Sequence, residues 1–377
     1  MCNRPCVLDK HRPFFYAKHI ITKVDSEICM RFVRIADEKR KFRAITSEWY
    51  VIIKKAKGER AMLKYAIKRI ILLIPTLAVV LTLVFCLMRL IPGSPVYAMI
   101  EGEDYSPEEI YQLEEELGFH DPIWEQYGRY VSGILVGDWG ESYVSNKPVL
   151  QAILDVWEPT ILITIMATIV TVVIAIPVGV LSATHRNSLL DYFVTSTSMA
   201  SMTIPTFCWG LLLCYFIAYK MKLFPILGYE YIKQEGLWNA IYFVALPSLS
   251  LGLHHVASLA RLTRSTMLDV LNQDYIRTAK AKGLPRRKIF YKHALKNTLS
   301  IVATSIAYSI ASMLGGSAVT ERVFGIRGMG TLAVSSLTQR DYNQEQAIVL
   351  FTALICLGVN LLLDIFYKLL DPRIEYE

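Results

Sequence analysis

The residue types that most often carry chemistry are present in this chain, but their spacing argues against a catalytic or metal site. His254 and His255 are adjacent within an apolar segment. Neighbouring helical residues project about 100° apart, so these imidazoles do not form the i,i+4 pair that binds one metal ion. The seven cysteines contain no CxxC pair, which argues against zinc and against a disulfide framework. We therefore predict no catalytic residues and no metal; His254 either packs within the protein or faces a polar route through it.

Nucleotide and hydrolase chemistry is not predicted either. The sequence contains no GxxxxGK[ST] phosphate loop, no GxSxG nucleophile turn and no HExxH helix. A glycine-rich segment covers 325–330, but no strand is predicted before it, as a nucleotide-binding loop would require. We therefore predict no cofactor, and any ATP hydrolysis must take place on another chain.

The most distinctive cluster of charge lies in residues 274–297, where eight Lys and Arg accompany a single acid, Asp274. The pattern predicts two short helices around a stop. Asp274 is a favourable N-cap residue for the first helix, Gly283 suits the C′ position, and Pro285 bars continuation. A second helix is expected to begin after Pro285 and to continue into the next apolar segment. Such a basic element suits either docking to a partner or contact with anionic lipid headgroups.

The elements that must position these residues are long apolar segments. Hydrophobic residues make up 53% of the chain and charged residues only 19%, a composition typical of a protein with several membrane spans. Each segment reaches the roughly 20 residues that cross a bilayer core. The predicted fold is all-α and polytopic, with six transmembrane helices. The predicted spans are 67–91, 159–183, 193–219, 240–260, 298–319 and 347–370.

The charges of the connecting segments predict the orientation. The connection 92–158 carries fourteen acids against Arg129 and Lys147, whereas the basic loops fall on the opposite side. The positive-inside rule places the basic side in the cytoplasm, together with both termini. The acidic connection then forms an outer cap. Within it, Ser106 and Glu109 predict a capping box, and 122–136 predicts a second helix.

The basic loop resembles that of ABC importer permeases of the dipeptide/oligopeptide/nickel branch. Residues 275–284 match that branch's Tyr-Ile-Arg-Thr-Ala-x-Ala-Lys-Gly-Leu pattern, although Arg277 stands where the wider family has Glu. Further departures are Trp139 for Leu, Arg327 for Pro, and Lys296 in place of the usual Pro. Ordered matches to the family also occur at 91–95, 137–143, 204–207, 260–265, 321–330, 340–342 and 371–373.

The resemblance implies that the basic helix is a cytoplasmic coupling helix that docks on an ATPase subunit. It also implies a mechanism of alternating access and a set of partners. The partners would be a second homologous permease, two ABC ATPase subunits, an extracytoplasmic substrate-binding protein and the lipid bilayer, with no nucleic acid. The protein would lie in the inner or plasma membrane of a bacterium or archaeon and carry peptides, or nickel or glutathione-like solutes. The implied coupling residues are Tyr275, Arg277, Thr278, Ala279, Ala281, Lys282, Gly283 and Leu284. The candidate pathway residues are Pro205, His254, Ser309, Ser312, Gly315 and Gly316.

Two other interpretations stay open at this stage. A secondary transporter or channel would place charged residues in the middle of its spans, but the predicted mid-span regions lack Asp, Glu, Lys and Arg. The outer cap is either a docking surface or an acidic lid without a partner.

The sequence divides into a basic N-terminal extension, 1–61, and a permease domain, 62–377. The domain contains the outer cap 92–158 and the coupling loop 266–297. Resemblance to the family begins at Met62, so we hypothesise that translation starts there and that 1–61 is either a start-site artefact or disordered. The alternative is a cytosolic arm held at anionic lipid by its positive charge.

Overall fold

The computed structural model describes residues 71–90, 96–100 and 105–370, leaving aside the side chains of 98, 99, 316 and 364–370. The predictions made for 1–61 fall outside these residues. Within them the fold is helical, with one isolated bridge between Glu141 and Pro148. Five of the described helices are long and apolar enough to cross a membrane, and a bent pair provides a sixth candidate. The predicted all-α polytopic architecture is confirmed.

The helices alternate between long apolar ones and short connecting ones. Two π-helical segments, Cys214–Lys220 and Ile289–Ala294, follow α7 and α11. In chain order the helices are α1 (Ile71–Leu90), α2 (Val96–Met99), α3 (Pro107–Glu116), α4 (Ile123–Val136), α5 (Val149–Thr184), α6 (Leu189–Thr203), α7 (Thr206–Leu213), α8 (Ile232–Glu235), α9 (Leu237–Leu271), α10 (Asp274–Ala281), α11 (Arg286–Lys288), α12 (Leu295–Val323), α13 (Met329–Thr338) and α14 (Tyr342–Leu370).

Two spans are longer than the apolar segments that predicted them. Helix α5 begins at Val149 rather than at 159, and α9 covers Leu237–Leu271 rather than 240–260. Hydropathy detects the part of a helix that suits hydrocarbon, whereas the backbone hydrogen bonds continue into the polar flanks. Pro177 and Pro247 lie inside these helices without ending them.

The third span, predicted over 193–219, is divided into two helices. Helices α6 and α7 are bent by 100° at the break between them. Ile204 and Pro205 are extended there, with ψ of 122° and 148°. Proline lacks a backbone donor and disfavours helical geometry in the preceding residue, which permits a break at this point.

Helices α5 and α9 pack closely at the centre of the bundle. A Cβ atom at Gly179 would lie 2.6 Å from the carbonyl oxygen of Ala260, so only glycine fits at this crossing. Further along, the Thr171 hydroxyl donates to the Gly252 carbonyl at 3.2 Å. Small residues that let helix backbones approach are a common means of association in membranes.

The bundle has two ends of opposite charge. The basic end carries α10 and α11, and the acidic end carries α3 and α4. At the acidic end the predicted capping box is confirmed: Glu109 N–H donates to the Ser106 hydroxyl, and Ser106 N–H donates to the Glu109 carboxylate. The predicted second cap helix is confirmed as α4, with Pro122 at its N-cap.

Candidate coupling site and transport pathway

Helix α10 is held by a C-terminal cap that glycine makes possible. Gly283 has a φ of +74°; its N–H donates to the Lys280 carbonyl at 3.0 Å, and Leu284 N–H donates to the Ala279 carbonyl at 3.3 Å. These two bonds form a Schellman motif, which confirms the predicted stop. The predicted N-cap is wrong by one residue, because Gln273 occupies it and Asp274 is already helical. As the first helical residue, Asp274 still lies at the positive end of the helix dipole.

Most of the predicted coupling residues lie on an open surface. Leu284 is only partly buried. Ala279, one of the implied coupling residues, instead faces the protein's own interior and is 8% exposed. Its small side chain therefore lets α10 lie close to its own bundle. The exposed predicted residues are Tyr275, Arg277, Thr278, Ala281, Lys282 and Gly283.

A hydrophobic cluster beneath α10 connects it to the spans. We call it the coupling cluster; its buried members come from α5, α9, α10 and the chain leading into α12. Ile276 is fully buried at its centre. A shift of α10 therefore acts directly on the ends of three spans, because close-packed interiors transmit displacement. The members are Val180, Ala183, Met267, Val270, Ile276, Ala279, Ile289 and Ala294.

A buried carboxylate near the coupling cluster ties α6 to α5 and α9. Asp191 has a side chain only 4% exposed, and Arg264 binds it through two nitrogens. The Ser182 hydroxyl and the Asn187 backbone N–H also donate to it. Four donors thus satisfy this carboxylate, as a buried charge requires.

A second buried carboxylate lies at the acidic end. Glu321 is fully buried. Its Oε1 accepts from the hydroxyls of Thr160 at 2.7 Å and Ser317 at 3.0 Å, and its Oε2 accepts from Thr331 N–H at 2.7 Å. Met329 N–H donates to the Thr160 hydroxyl at 2.8 Å. The carboxylate and the hydroxyl together satisfy the amides at the start of α13, where the helix dipole also favours negative charge.

Gly328 makes this arrangement possible. A Cβ atom there would lie 2.5 Å from the Glu321 carboxyl carbon and 2.6 Å from the Thr160 hydroxyl oxygen. The glycine-rich segment after the fifth span therefore serves close packing around a carboxylate, and α5, α12 and α13 are joined at one point.

The cap is fastened to the bundle by further polar contacts. The Ser142 hydroxyl donates to Asp341 at 2.5 Å, and Trp139 packs edge-on against Phe351. Burial in this region raises the pKa of Tyr143 to about 12, so its hydroxyl stays protonated at physiological pH.

The loop before α9 is fastened in the same way. The Tyr229 hydroxyl and the Ile232 N–H both donate to Glu158, each at 2.7 Å. Burial, together with the hydrogen bond to Glu158, raises the pKa of Tyr229. Glu158 thereby joins the part of α5 nearest the cap to the chain between the third and fourth spans.

The predicted pathway residues fall into two groups. Ser312 and Gly315 are exposed on one face of α12, and Pro205 is exposed at the break in the third span. Ser309 is turned inward, 7% exposed, and donates to the Ser305 carbonyl, so it does not line that face. Gly316 lies outside the residues whose surroundings are described.

His254 is neither fully buried nor fully exposed. It is partly buried, and its Nδ1 is buried without a hydrogen-bond partner among the described residues. The His255 ring lies 5.5 Å away, centre to centre, and nearly perpendicular to it. In the described part of the chain, no group of three His, Cys, Asp or Glu residues is placed to hold a metal ion.

The exposed face of α12 is one continuous stripe in which polar and apolar residues are mixed. Tyr308 is 76% exposed, Thr304 lies one turn before it, and Ser312 and Gly315 follow at helical spacing. Such a face, mixing hydroxyls with small residues, suits either a polar route or close approach of another helix.

Sequence reasoning assigned no role to several of the residues that hold this site together. Asp191, Glu158 and Glu321 lie at the edges of the predicted spans. The available signal was their position: acids at the ends of apolar segments, close to small hydroxyl residues.

The fold and this arrangement define a class, the multi-span membrane proteins that present an exposed basic helix at one end. Comparison with known sequences then identifies the family. The profile described as "Binding-protein-dependent transport system inner membrane component" matches residues 175–376, and a profile for the N-terminal part of such components matches residues 62–164. The chain belongs to this family and is a permease subunit of the ABC importer type.

Curated relatives agree with this assignment. The chain is 36% identical over 334 residues to the dipeptide transport system permease protein DppB of Alkalihalophilus pseudofirmus. It is 38% identical over 317 residues to the oligopeptide transport system permease protein AppB of Bacillus subtilis, and 35% identical over 316 residues to the glutathione transport system permease protein GsiC of Salmonella paratyphi A. Each comparison covers 84% of this chain and 100% of the relative.

A solved structure is also similar. The inward-facing methionine ABC transporter MetNI contains a chain with a TM-score of 0.48 and 17% identity, covering 60% of this chain and 99% of that one.

Proposed function

We propose that this chain forms part of the pathway by which an ATP-driven importer moves peptides across the cytoplasmic membrane of a prokaryotic cell. The observation that carries the proposal is α10, an exposed basic helix that rests on the coupling cluster. Relatives named as dipeptide and oligopeptide permeases support peptides as the substrate class. In this proposal two ATPase subunits hydrolyse the ATP, and this chain binds no nucleotide.

The basic end is proposed to be cytoplasmic, with both termini, and the acidic end to face outward. ATPase subunits dock on the open face of α10, around Tyr275 and Ala281. The acidic helix α3 meets the substrate-binding protein. A second homologous permease faces the exposed stripe of α12, so that Ser312 and Gly315 line the route between the two subunits.

The geometry supports a transmission sequence. When the ATPase subunits close, α10 is displaced, and Ile276 carries this displacement to α5 and α9 through the coupling cluster. Arg264 passes it from α9 to Asp191 at the start of α6. Helix α6 then moves against α7 at the Pro205 break, where a change of backbone angle requires few broken hydrogen bonds.

Crosslinking of the assembled complex tests the docking assignment. In a cysteine-free background, Ala281→Cys is expected to crosslink to an ATPase subunit. Ala279→Cys, two residues away but buried, is its matched control and is not expected to react. Glu115→Cys on α3 is expected to reach the binding protein instead. Crosslinking of position 281 to the binding protein, or its failure in an intact complex, would refute the assignment.

Transport assays test the energy source and substrate. Uptake of radiolabelled di- and oligopeptides into proteoliposomes should require ATP and the intact ATPase subunits, with glutathione and nickel chelates as competitors. Uptake driven by an ion gradient without ATPase subunits would identify a secondary transporter instead.

Thiol labelling of sealed cells tests the proposed orientation. The reagent should label Glu115→Cys and not Arg287→Cys; the reverse pattern would invert the topology.

A further inference from the structure

The two helices of the acidic cap differ sharply in charge. Helix α3 has ten residues, five of them Glu, and no base. Helix α4 has fourteen residues with one acid, Glu125, and one base, Arg129. The charge that suits water or a protein partner is therefore on α3, and α4 is electrically neutral.

Helix α4 lies against the side of the first span. The hydroxyls of Tyr127 and Thr82 are 2.8 Å apart, and the Tyr127 ring packs edge-on against Phe85 at 5.2 Å. Arg89 donates through two nitrogens to the Gln126 side chain, at 3.0 and 2.9 Å. These contacts come from the last three turns of α1, so α4 lies beside the span and not above its end.

The depth of this contact follows from helix geometry. The 20 described residues of α1 rise about 30 Å, which is about the thickness of the hydrocarbon core. Thr82 lies about 12 Å along the axis before Leu90. A helix whose Tyr127 reaches Thr82 is therefore level with one leaflet of the bilayer.

The surface of α4 that does not face α1 has an apolar sector and a polar sector. Trp124 and Leu135 are 71% and 80% exposed, and Gly128 and Val131 lie between them on the same face. The flanking Val136 is 81% exposed. Spacings of four, three and four positions separate Trp124, Gly128, Val131 and Leu135, so these four residues form one helical face. We call this face the lipid stripe.

The polar residues of α4 occupy a separate sector. Glu125, Arg129 and Ser132 are all exposed, at spacings of four and three positions, and Arg129 pairs with Asp121 at 2.6 Å. Helix α4 thus has three sectors: one packed on α1, one polar and one apolar. An amphipathic helix in a membrane interface has this kind of division.

We propose that α4 is an interfacial membrane helix whose lipid stripe inserts among the acyl chains of the leaflet at the acidic end. At the same depth, α1 also exposes apolar side chains on the side that α4 leaves open, where Leu83, Leu87 and Leu90 are 56%, 56% and 76% exposed. Tryptophan favours the boundary between hydrocarbon and headgroups. Because α4 is neutral, its insertion needs no anionic lipid, and of these two cap helices only α3 carries a net negative charge. This proposal rests on the chain being a membrane permease but not on its partners or substrate.

Depth-dependent quenching in the assembled transporter tests the proposal. The complex is placed in phosphatidylcholine nanodiscs with a fluorescent amino acid at Leu135, or at Ser132 as the matched control three residues away. Leu83 on α1 is the positive control. The quencher is phosphatidylcholine with a nitroxide on carbon 5 of the acyl chain. Quenching at Leu135 should approach that at Leu83 and exceed that at Ser132 by about twofold or more.

Each other outcome overturns the proposal in a distinct way. If Leu83 is quenched while Leu135 matches Ser132, α4 lies in water and the membrane assignment of α1 stands. If Leu135 is unquenched but becomes shielded when the binding protein is added, the stripe is a protein-docking surface. If Leu83 itself is unquenched, α1 is not a span, and the proposed function fails together with the lipid stripe.

Discussion

Arg264 donates two hydrogen bonds to the Asp191 carboxylate, with Nε 2.5 Å from Oδ1 and Nη2 2.7 Å from Oδ2. The pair joins α9 to α6 across a separation of 73 residues. Met267 of the coupling cluster lies three residues after Arg264, so the pair is about one helical turn from the surface on which α10 rests.

Breaking this pair should destabilise the subunit. Arg264→Gln leaves the Asp191 carboxylate buried without its counter-ion, which costs about 3–5 kcal/mol in comparable sites. The free energy of unfolding measured in denaturant should fall by this amount, and peptide uptake should be lost. Adding Asp191→Asn should recover part of the stability, because the uncompensated charge is removed. The exposed Arg261 provides the control, and equal effects of Arg261→Gln and Arg264→Gln would contradict the prediction.

Gly283 should tolerate only residues that accept a positive φ. Its Cβ position is open, with no atom within 4 Å, so the cost of a substitution is conformational and not steric. A left-handed conformation costs an ordinary residue about 1–2 kcal/mol, and a β-branched residue is least suited to it. Gly283→Val should insert normally yet abolish uptake, whereas Gly283→Asn should retain much of it. Wild-type uptake by Gly283→Val would show that this cap is not needed for coupling.

A single methyl group at Gly328 should be more damaging than the same group at Gly358. The added Cβ would lie 2.5 Å from Glu321 at the first position, whereas nothing lies within 4 Å at the second. Overpacking of this kind costs about 1–3 kcal/mol, while Ala is favoured over Gly in the interior of α14. The midpoint temperature of thermal unfolding of the purified transporter should therefore be lowered by Gly328→Ala and unchanged or raised by Gly358→Ala. The opposite order would mean that the Glu321 site can relax.

The start of α3 should lose stability in acid. The Ser106 N–H bonds to the Glu109 carboxylate and lowers its pKa below the ordinary value of 4.5. A lowered folded-state pKa gives stabilisation that is present above the unfolded-state pKa and is lost as the pH falls through the folded-state value. Exchange of the amide hydrogens of residues 109–111, corrected for its intrinsic pH dependence, should accelerate below about pH 4.5. Glu109→Gln keeps the capping box without titrating, so its exchange should show no such step.

Local features of the fold were predictable because their causes are local. The Gly283 stop, the capping box at Ser106 and the α4 helix each depend on residues within one or two turns. The apolar segments predicted the spans for the same reason, since crossing a bilayer needs only length and composition. The break at Pro205 shows the limit: Pro177 and Pro247 carry the same local signal, yet their helices continue, because tertiary packing decides which proline ends a helix.

The contacts that unite the site were not predictable from one sequence. Glu321 and Thr160 are 161 positions apart, and no periodicity connects them. The same limit applied to Ala279 and Ala281, which have identical side chains two positions apart. Only the packing of α10 on the coupling cluster shows that the first faces inward and the second outward.

The Glu321 contacts also bear on the exchange of segments between homologous permeases. Thr160 and Met329 lie 169 positions apart and still share a hydrogen bond, while Gly328 leaves room for no atom beyond hydrogen. A chimaera with a junction between α5 and α12 would draw the hydroxyl from one parent and the carboxylate, glycine and amide from the other. Parents that differ at Thr160, Glu321 or Gly328 would yield a hybrid with mismatched contacts, however similar the rest of their sequences. The Met329 amide belongs to the backbone, and any residue except proline supplies it. Junctions that keep these four residues from one parent should therefore be the productive ones for recombining transporters of this kind.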